Sequence, residues 1–282
     1  MKHFDEAQNG IIQKGLWQDE TIQDLINLLE PYKTVQALLL KGSSANPHIQ
    51  PDTWSDVDVT IVVTDGALNT FFPTTTWLAP LGELYTISQS STELTGTTRV
   101  CFTDFRRIDC VFVQESGFSE QALHSEAVRS LFSRSALVDD ILSRATLTLP
   151  PATVISSQQF EEMVNAFWFK GMLTTSKVMR NDLLIATHLA LELIQDTCVL
   201  AMMLRDRELG TSHHRKGGMG NDFIARLNTT RLSYTPMGIL ESVKQSSNVF
   251  DELAASWLPG YHEHRHPLLA WISYAQEMVA LQ

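Results

Sequence analysis

The sequence predicts an α+β protein: a mixed β-sheet region with flanking helices over residues 1–150, then an α-helical bundle over residues 151–282. Three observations carry this. Short apolar or β-branched runs bounded by turn residues recur up to residue 113. Long stretches with helical spacing dominate from residue 157 onward. Between them, Pro150-Pro151-Ala152 follows Leu147-Thr148-Leu149, a break that no helix continues through.

The elements follow in order. Ile22, Leu25, Ile26 and Leu29 fall at helical spacing within Asp19 to Glu30, and Pro31 stops that helix. Thr34 to Leu40 is a short apolar run, read as a buried strand, and Gly42-Ser43-Ser44-Ala45-Asn46-Pro47 punctuates it. Val57 to Val63 is rich in β-branched residues and reads as a strand. Leu68 to Leu78 reads as a short helix. Leu84 to Ser88, Thr97 to Thr103 and Arg107 to Val113 read as strands, the last two joined at Asp104-Phe105-Arg106 as a hairpin. In the second half, helices are expected from Ser157 to Met179, from Asn181 as N-cap to Glu208 before Gly210, from Met237 to Leu258, and from Pro267 to Leu281.

Composition narrows the function classes. The net charge of −11 disfavours nucleic acid as partner and favours cationic small molecules. No apolar run approaches the roughly 20 residues that span a bilayer, so no membrane role is expected. Met1-Lys2-His3-Phe4-Asp5-Glu6 is polar and acidic, unlike a secretory leader. Cys101, Cys110 and Cys198 are scattered in apolar contexts and read as reduced core residues. A cytoplasmic location follows. Oligomeric state leaves no mark in the sequence.

The stretch that carries chemistry is Leu38-Leu39-Leu40-Lys41-Gly42-Ser43, twelve residues, then Asp56-Val57-Asp58-Val59. Residues two apart on a strand share a face, so Asp56 and Asp58 present paired carboxylates while Val57 and Val59 pack inward. Paired carboxylates repel unless a cation lies between them. Mg²⁺, a hard ion, prefers carboxylate and phosphate oxygens, and two such ions clamp a triphosphate for in-line displacement. Gly42 allows close backbone approach to phosphates, with the Ser43 hydroxyl and neighbouring N–H groups as donors. Within Arg107-Ile108-Asp109-Cys110-Val111-Phe112, alternation turns Asp109 away from Ile108, Cys110 and Phe112, which makes it the third carboxylate.

An apolar strand, Gly-Ser, a spacer and Asp-x-Asp resemble the signature of DNA polymerase β-type nucleotidyltransferases. Within that superfamily, Gly42 to Pro47, Asp52, Ser55-Asp56-Val57-Asp58-Val59 and Arg107-Ile108-Asp109 resemble the aminoglycoside 6-adenylyltransferases, the streptomycin-modifying group. The likeness is specific over residues 38–113 and loose at Phe167-Trp168-Phe169 and Ser176-Lys177. It implies a nucleotidyltransferase-type sheet domain and a helical acceptor-binding domain. It implies transfer of AMP from ATP to a hydroxyl of a cationic aminocyclitol, with two Mg²⁺ ions on Asp56, Asp58 and Asp109. Gly42, Ser43, Ser44 and Lys177 are then the nucleotide-binding residues. Members of that group often carry Arg where this chain has Ser44.

In the helical half, His188, Glu192 and Asp196 form one polar stripe on an otherwise apolar helix. Two readings stay open: a solvated face, or an acceptor site with Glu192 as general base or ammonium anchor. Asp182 is an alternative base that the helix dipole explains equally well. Lys170, Thr174 and Lys177 share a face of the preceding helix. His213-His214-Arg215-Lys216 leads into Gly217-Gly218-Met219-Gly220, which follows a helix and so reads as a loop rather than a dinucleotide fingerprint. His262, His264 and His266 read as a surface loop, with a transition-metal cluster the sharper alternative. Trp54 reads as rim or core packing, or as a base-stacking residue. Beyond the leading reading stand a transferase acting on a protein or another metabolite, and a non-catalytic nucleotide-binding homologue. The intact acid set argues against the last.

Overall fold

The computed structural model describes residues 17–46, 48, 51–119, 123, 127–146, 149–213, 218–227 and 234–281. The readings placed on Met1 to Glu6, Pro47, Leu147-Thr148 and His214 to Gly217 lie outside the described residues. The chain divides into two compact units, Met1–Leu149 and Pro150–Gln282. It is α+β, a mixed six-stranded sheet plus helices.

The first unit begins with α1 (Trp17–Leu29), whose Leu25 and Leu29 are fully buried. The strands are β1 (Val35–Lys41), β2 (Val57–Val63), β3 (Leu84–Ser91), β4 (Thr95–Phe102), β5 (Arg107–Gln114) and β6 (Val128–Ser133), in the order β3-β4-β5-β2-β1-β6. Only β2 and β5 run parallel; the other pairs are antiparallel. A short helix, α2 (Ala136–Arg144), follows β6 and is capped by the Ser135 hydroxyl, which accepts from the Val138 N–H.

Alternation along the central strands decides what each sheet face carries. Val57, Val59, Ile61, Ile108, Cys110 and Phe112 point one way, into a core shared with α1, Phe71 and Trp77. Each such large side chain contributes roughly 1.5–3 kcal/mol by leaving water. The other face is apolar at Ala37, Leu39, Val62 and Val113, which pack under Val138 and Ile141 of α2. Toward the opposite end of β2 and β5, that same face carries Asp58 and Asp109.

Two expectations for this unit need correction. Residues 68–78 do not form one helix. Two 3₁₀ turns, Leu68–Thr70 and Thr76–Leu81, take their place, because Pro73 has no N–H to carry a helical ladder across. The strand β6 and helix α2 were not expected at all. The hairpin at Asp104-Phe105-Arg106 is present: the Phe102 N–H donates to the Arg106 carbonyl at 2.9 Å, and Phe105 takes φ 70°.

The second unit holds α3 (Ser157–Met179), α4 (Leu183–Leu209), α5 (Asn221–Leu227), α6 (Pro236–Trp257) and α7 (Arg265–Ala280). A capping box starts α3, with the Ser156 and Gln159 side chains each accepting from the other residue's N–H. Helices α3, α4 and α6 pack on one another, and α7 lies against α3 and α6. The Phe167 and Phe250 rings stack at 3.7 Å at the centre. Gly171 permits the close approach of α3 and α7, since a Cβ there would meet Leu268 Cδ2 at 2.5 Å. The N-cap of α4 is Asp182 rather than Asn181, which instead takes the left-handed conformation at φ 56°.

By length and composition α4 is apolar enough to cross a membrane, contrary to the expectation that no such run exists. Its Ala186, Leu193, Leu200 and Leu204 pack into the bundle, and Glu192 and Asp196 place two carboxylates in its middle. The sequence pattern hid the apolar length because the polar stripe interrupts it.

Candidate active site

The site is built at the end of the parallel β2–β5 pair. Asp58 lies in register with Asp109, so the two side chains project side by side from adjacent strands. Asp56, immediately before β2, joins them. One carboxylate oxygen from each of the three lies within 4.8 Å of the others. Among the described residues this is the one group of three or more acidic, histidine or cysteine side chains arranged to hold a metal ion.

The loop leading to Asp56 is held by α1. Gln18, almost wholly buried, donates from Nε2 to the carbonyls of Asp52 (2.7 Å) and Ser55 (3.0 Å), and Trp17 Nε1 donates to the Thr53 carbonyl at 3.1 Å. Asp52 closes the turn by accepting from the Ser55 hydroxyl and the Trp54 N–H. The Ser55 hydrogen bond holds the Asp52 carboxyl below the usual range. Trp54 is 84% exposed, which removes the core reading and leaves a projecting ring. Gln18 had no signature in the sequence, since the helix expected there began at Asp19 and the observed one begins at Trp17.

Gly42 opens the 3₁₀ turn Gly42–Ala45 straight after β1. Its φ is +67°, and a Cβ there would stand 2.8 Å from Asp58 Oδ2. Both facts require glycine. Ser43 and Ser44 continue this turn beside the acids. The Ser44 hydroxyl oxygen is buried and has no hydrogen-bond partner among the described residues.

Electrostatics reinforce the geometry. Burial raises the Asp109 carboxyl above its usual range, the Arg99 hydrogen bond pulls it down, and the Asp56 charge raises it again. Arg99 Nε donates to Asp109 Oδ2 at 2.8 Å, and Arg107 Nη2 stands 3.5 Å from Asp56 Oδ2 while donating to the Trp54 carbonyl. Arg99 was not singled out from the sequence, and Arg107 entered there only as part of the Arg107-Ile108-Asp109 segment. Cys110, fully buried behind this face, has its thiol pushed far up by desolvation and is inert.

A family model for streptomycin adenylyltransferase matches residues 17–221, the acid cluster and all of α4 included. The chain belongs to this family. It is therefore a nucleotidyltransferase enzyme. No curated protein sequence matches it. Among solved structures, it is similar to an aminoglycoside 6-adenyltransferase from Bacillus subtilis at 12% identity and TM-score 0.33, covering 90% of this chain and 95% of that one. It is also similar to a nucleotidyltransferase-like protein from Exiguobacterium sibiricum at 10% identity and TM-score 0.29, covering 94% of this chain and 89% of that one.

The remaining predicted residues lie in the helical unit. Glu192 accepts from Lys170 Nζ at 2.9 Å and sits 2.9 Å from His188 Nε2; Asp196 accepts from the same Lys170 at 2.8 Å. The Lys170 hydrogen bond and charge hold the Glu192 carboxyl below its usual range. Burial alone lowers Lys170, but its hydrogen bonds to Asp196 and Glu192 outweigh that and raise it overall. Lys177 donates to Asp182 at 3.0 Å, which accounts for the Asp182 side chain at the helix start. The His264 ring stacks on Trp168 while its backbone N–H donates to Asp251, and His266 lies by Glu263; among the described residues the loop histidines form no metal-binding group. Gly218 and Gly220 take positive φ in the turn into α5. Met219 and Gly220 help line a mostly apolar cavity of about 180 Å³ between α4, α5 and α6.

Proposed function

We propose that the chain is a Mg²⁺-dependent adenylyltransferase that moves AMP from ATP to a hydroxyl of a small cationic, aminoglycoside-like acceptor. One observation carries the reading: Asp56, Asp58 and Asp109 converge within 4.8 Å beside a glycine turn, inside the span that matches the family. An oxygen-only donor set, crowded enough for its charges to repel, fits a hard divalent cation.

Asp56, Asp58 and Asp109 would hold two Mg²⁺ ions. When bound, such ions neutralise phosphate charge and lower the pKa of an attacking hydroxyl. Everything else falls to the chain's own groups. The turn at Gly42, Ser43 and Ser44 offers backbone N–H groups and two hydroxyls to the phosphates, with the buried Ser44 hydroxyl as the donor lacking a partner. The acceptor oxygen bonds to the α-phosphorus, the α–β phosphoanhydride bond breaks, pyrophosphate leaves and the hydroxyl proton is released. Lys177 is proposed to contact the nucleotide phosphates once it leaves Asp182.

Glu192 is proposed to act on the acceptor. Its carboxylate is held ionised by Lys170, which suits an ammonium anchor better than a proton acceptor. The net charge of −11 favours a polycationic substrate over nucleic acid. A cytoplasmic enzyme of antibiotic-resistance type, independent of membranes, is the reading in keeping with these features.

The test is transfer of label from [α-³²P]ATP with Mg²⁺ to a panel of aminoglycosides. Labelled streptomycin is expected. Label on protein, or on unrelated metabolites alone, would redirect the acceptor assignment. ATP binding without turnover under any condition would contradict the catalytic reading.

A further inference from the structure

A row of charges crosses the sheet one strand at a time. Lys41 on β1 is in register with Asp58 on β2, Asp58 with Asp109 on β5, and Asp109 with Arg99 on β4. Side chains in register on neighbouring strands stand on the same face, so the order is plus, minus, minus, plus. Arg99 closes the row physically, its Nε donating to Asp109 Oδ2 at 2.8 Å. At the start of β5, Arg107 stands 3.5 Å from Oδ2 of Asp56, the residue just before β2. Three acids are thus bracketed by three basic side chains, and the group as a whole has no net charge.

We propose that Arg99 is a built-in counter-ion that couples divalent-cation binding to nucleotide binding. The inference rests on the metal-site reading of Asp56, Asp58 and Asp109. A divalent ion arriving alone meets a neutral cluster in which one Asp109 oxygen is already taken by a guanidinium. Bringing it in adds like-charge repulsion at close range, where the Coulomb energy between charges is largest. A nucleoside triphosphate removes that conflict. Its phosphate oxygens accept from guanidinium N–H groups as well as a carboxylate does, and its charge offsets the added ion. Arg99 has the freedom to exchange partners, because its side chain is 63% exposed. The ion and the triphosphate therefore strengthen each other's binding, and the gain is reciprocal. Arg99 is a positioning residue in this scheme: it sets when Asp109 becomes available.

Titrating the full chain with Mn²⁺, followed by electron paramagnetic resonance with and without a non-hydrolysable ATP analogue, tests the proposal. The wild type is expected to bind Mn²⁺ weakly alone and more tightly with the analogue. Arg99→Gln should tighten Mn²⁺ binding in the absence of nucleotide by about 5- to 10-fold, the scale expected for removing one partly exposed charge. The enhancement by the analogue should shrink by at least that factor. Arg99→Lys should stay near the wild type, because the positive charge remains. A structural salt bridge alone predicts neither change. If folded Arg99→Gln binds Mn²⁺ no tighter than the wild type, or keeps the full enhancement, Arg99 is not the coupling residue. If the wild type and Asp58→Asn bind Mn²⁺ identically under both conditions, the metal site itself is wrong and the inference falls with it.

Discussion

Two groups of carboxylates in this molecule have similar chemistry and opposite wiring. In the helical unit, Glu192 and Asp196 share one lysine, and Lys170 Nζ stands 2.9 and 2.8 Å from their oxygens. The cation is already between the acids, and the Glu192 carboxyl titrates low as a result. In the sheet unit, Asp56, Asp58 and Asp109 face one another, and the basic side chains stand on the flanks. There the Asp109 carboxyl is raised by burial and by the Asp56 charge, despite the Arg99 hydrogen bond. Acid count does not distinguish an ion-pair network from an ion site; where the cations stand relative to the acids does. The first arrangement is complete; under the function proposed above, the second would be completed by a divalent ion.

The contrast can be broken most sharply at Asp58. Asp58→Asn is expected to lower adenylyl transfer on the order of 10³-fold or more, the scale of deleting one charged group from a preorganised site, with the circular dichroism spectrum unchanged. Transfer within a few-fold of the wild type would remove the cluster from the chemistry. Gly42→Ala comes next. Its Cβ must push the Asp58 carboxylate, so steady-state kinetics should show a loss of roughly 10- to 100-fold, typical of disturbing a group that orients a ligand. The strained φ also costs about 1 kcal/mol of stability, measurable by denaturant unfolding.

Lys170→Met has a smaller and different signature. It leaves two facing carboxylates without their cation, and the thermal midpoint should fall by roughly 2–4 °C at neutral pH. The same substitution sharpens the comparison through pH. The Glu192 pKa is depressed in the folded state, so its share of the stabilisation is present above the unfolded glutamate range and is lost as pH falls through the folded value. The Lys170 pKa is raised, so its share is present below the unfolded lysine range and is lost as pH rises through the folded value. The difference in midpoint between wild type and Lys170→Met should therefore be flat across neutral pH and shrink at both extremes. A difference that grows on acidification would contradict the pairing.

The contrast also explains what the sequence could and could not convey. Val57 to Val63 and Arg107 to Val113 were legible as strands because β-branched alternation is local. Alternation likewise turned Asp58 and Asp109 to the face opposite their apolar neighbours. Gly42 was legible because only a backbone requirement puts glycine between an apolar strand and two serines. Arg99 was not, since its role depends on the β4–β5 register, which local pattern does not specify. Lys170 was read only as sharing a face with Lys177; its place between Glu192 and Asp196 comes from the packing of α3 on α4. The strand β6 escaped notice because Val128-Arg129-Ser130-Leu131-Phe132-Ser133 has no clean period and is at most half-buried. Residues 68–78 misled in the other direction, as their apolar spacing outweighed the warning of Pro73.

The most direct measurement is anomalous scattering from a crystal grown with Mn²⁺ and a non-hydrolysable ATP analogue. A manganese peak bonded to oxygens of Asp56, Asp58 and Asp109 is the predicted result, with none between Glu192 and Asp196. A peak at the helical pair, or ordered nucleotide with no metal on the three aspartates, would contradict the account.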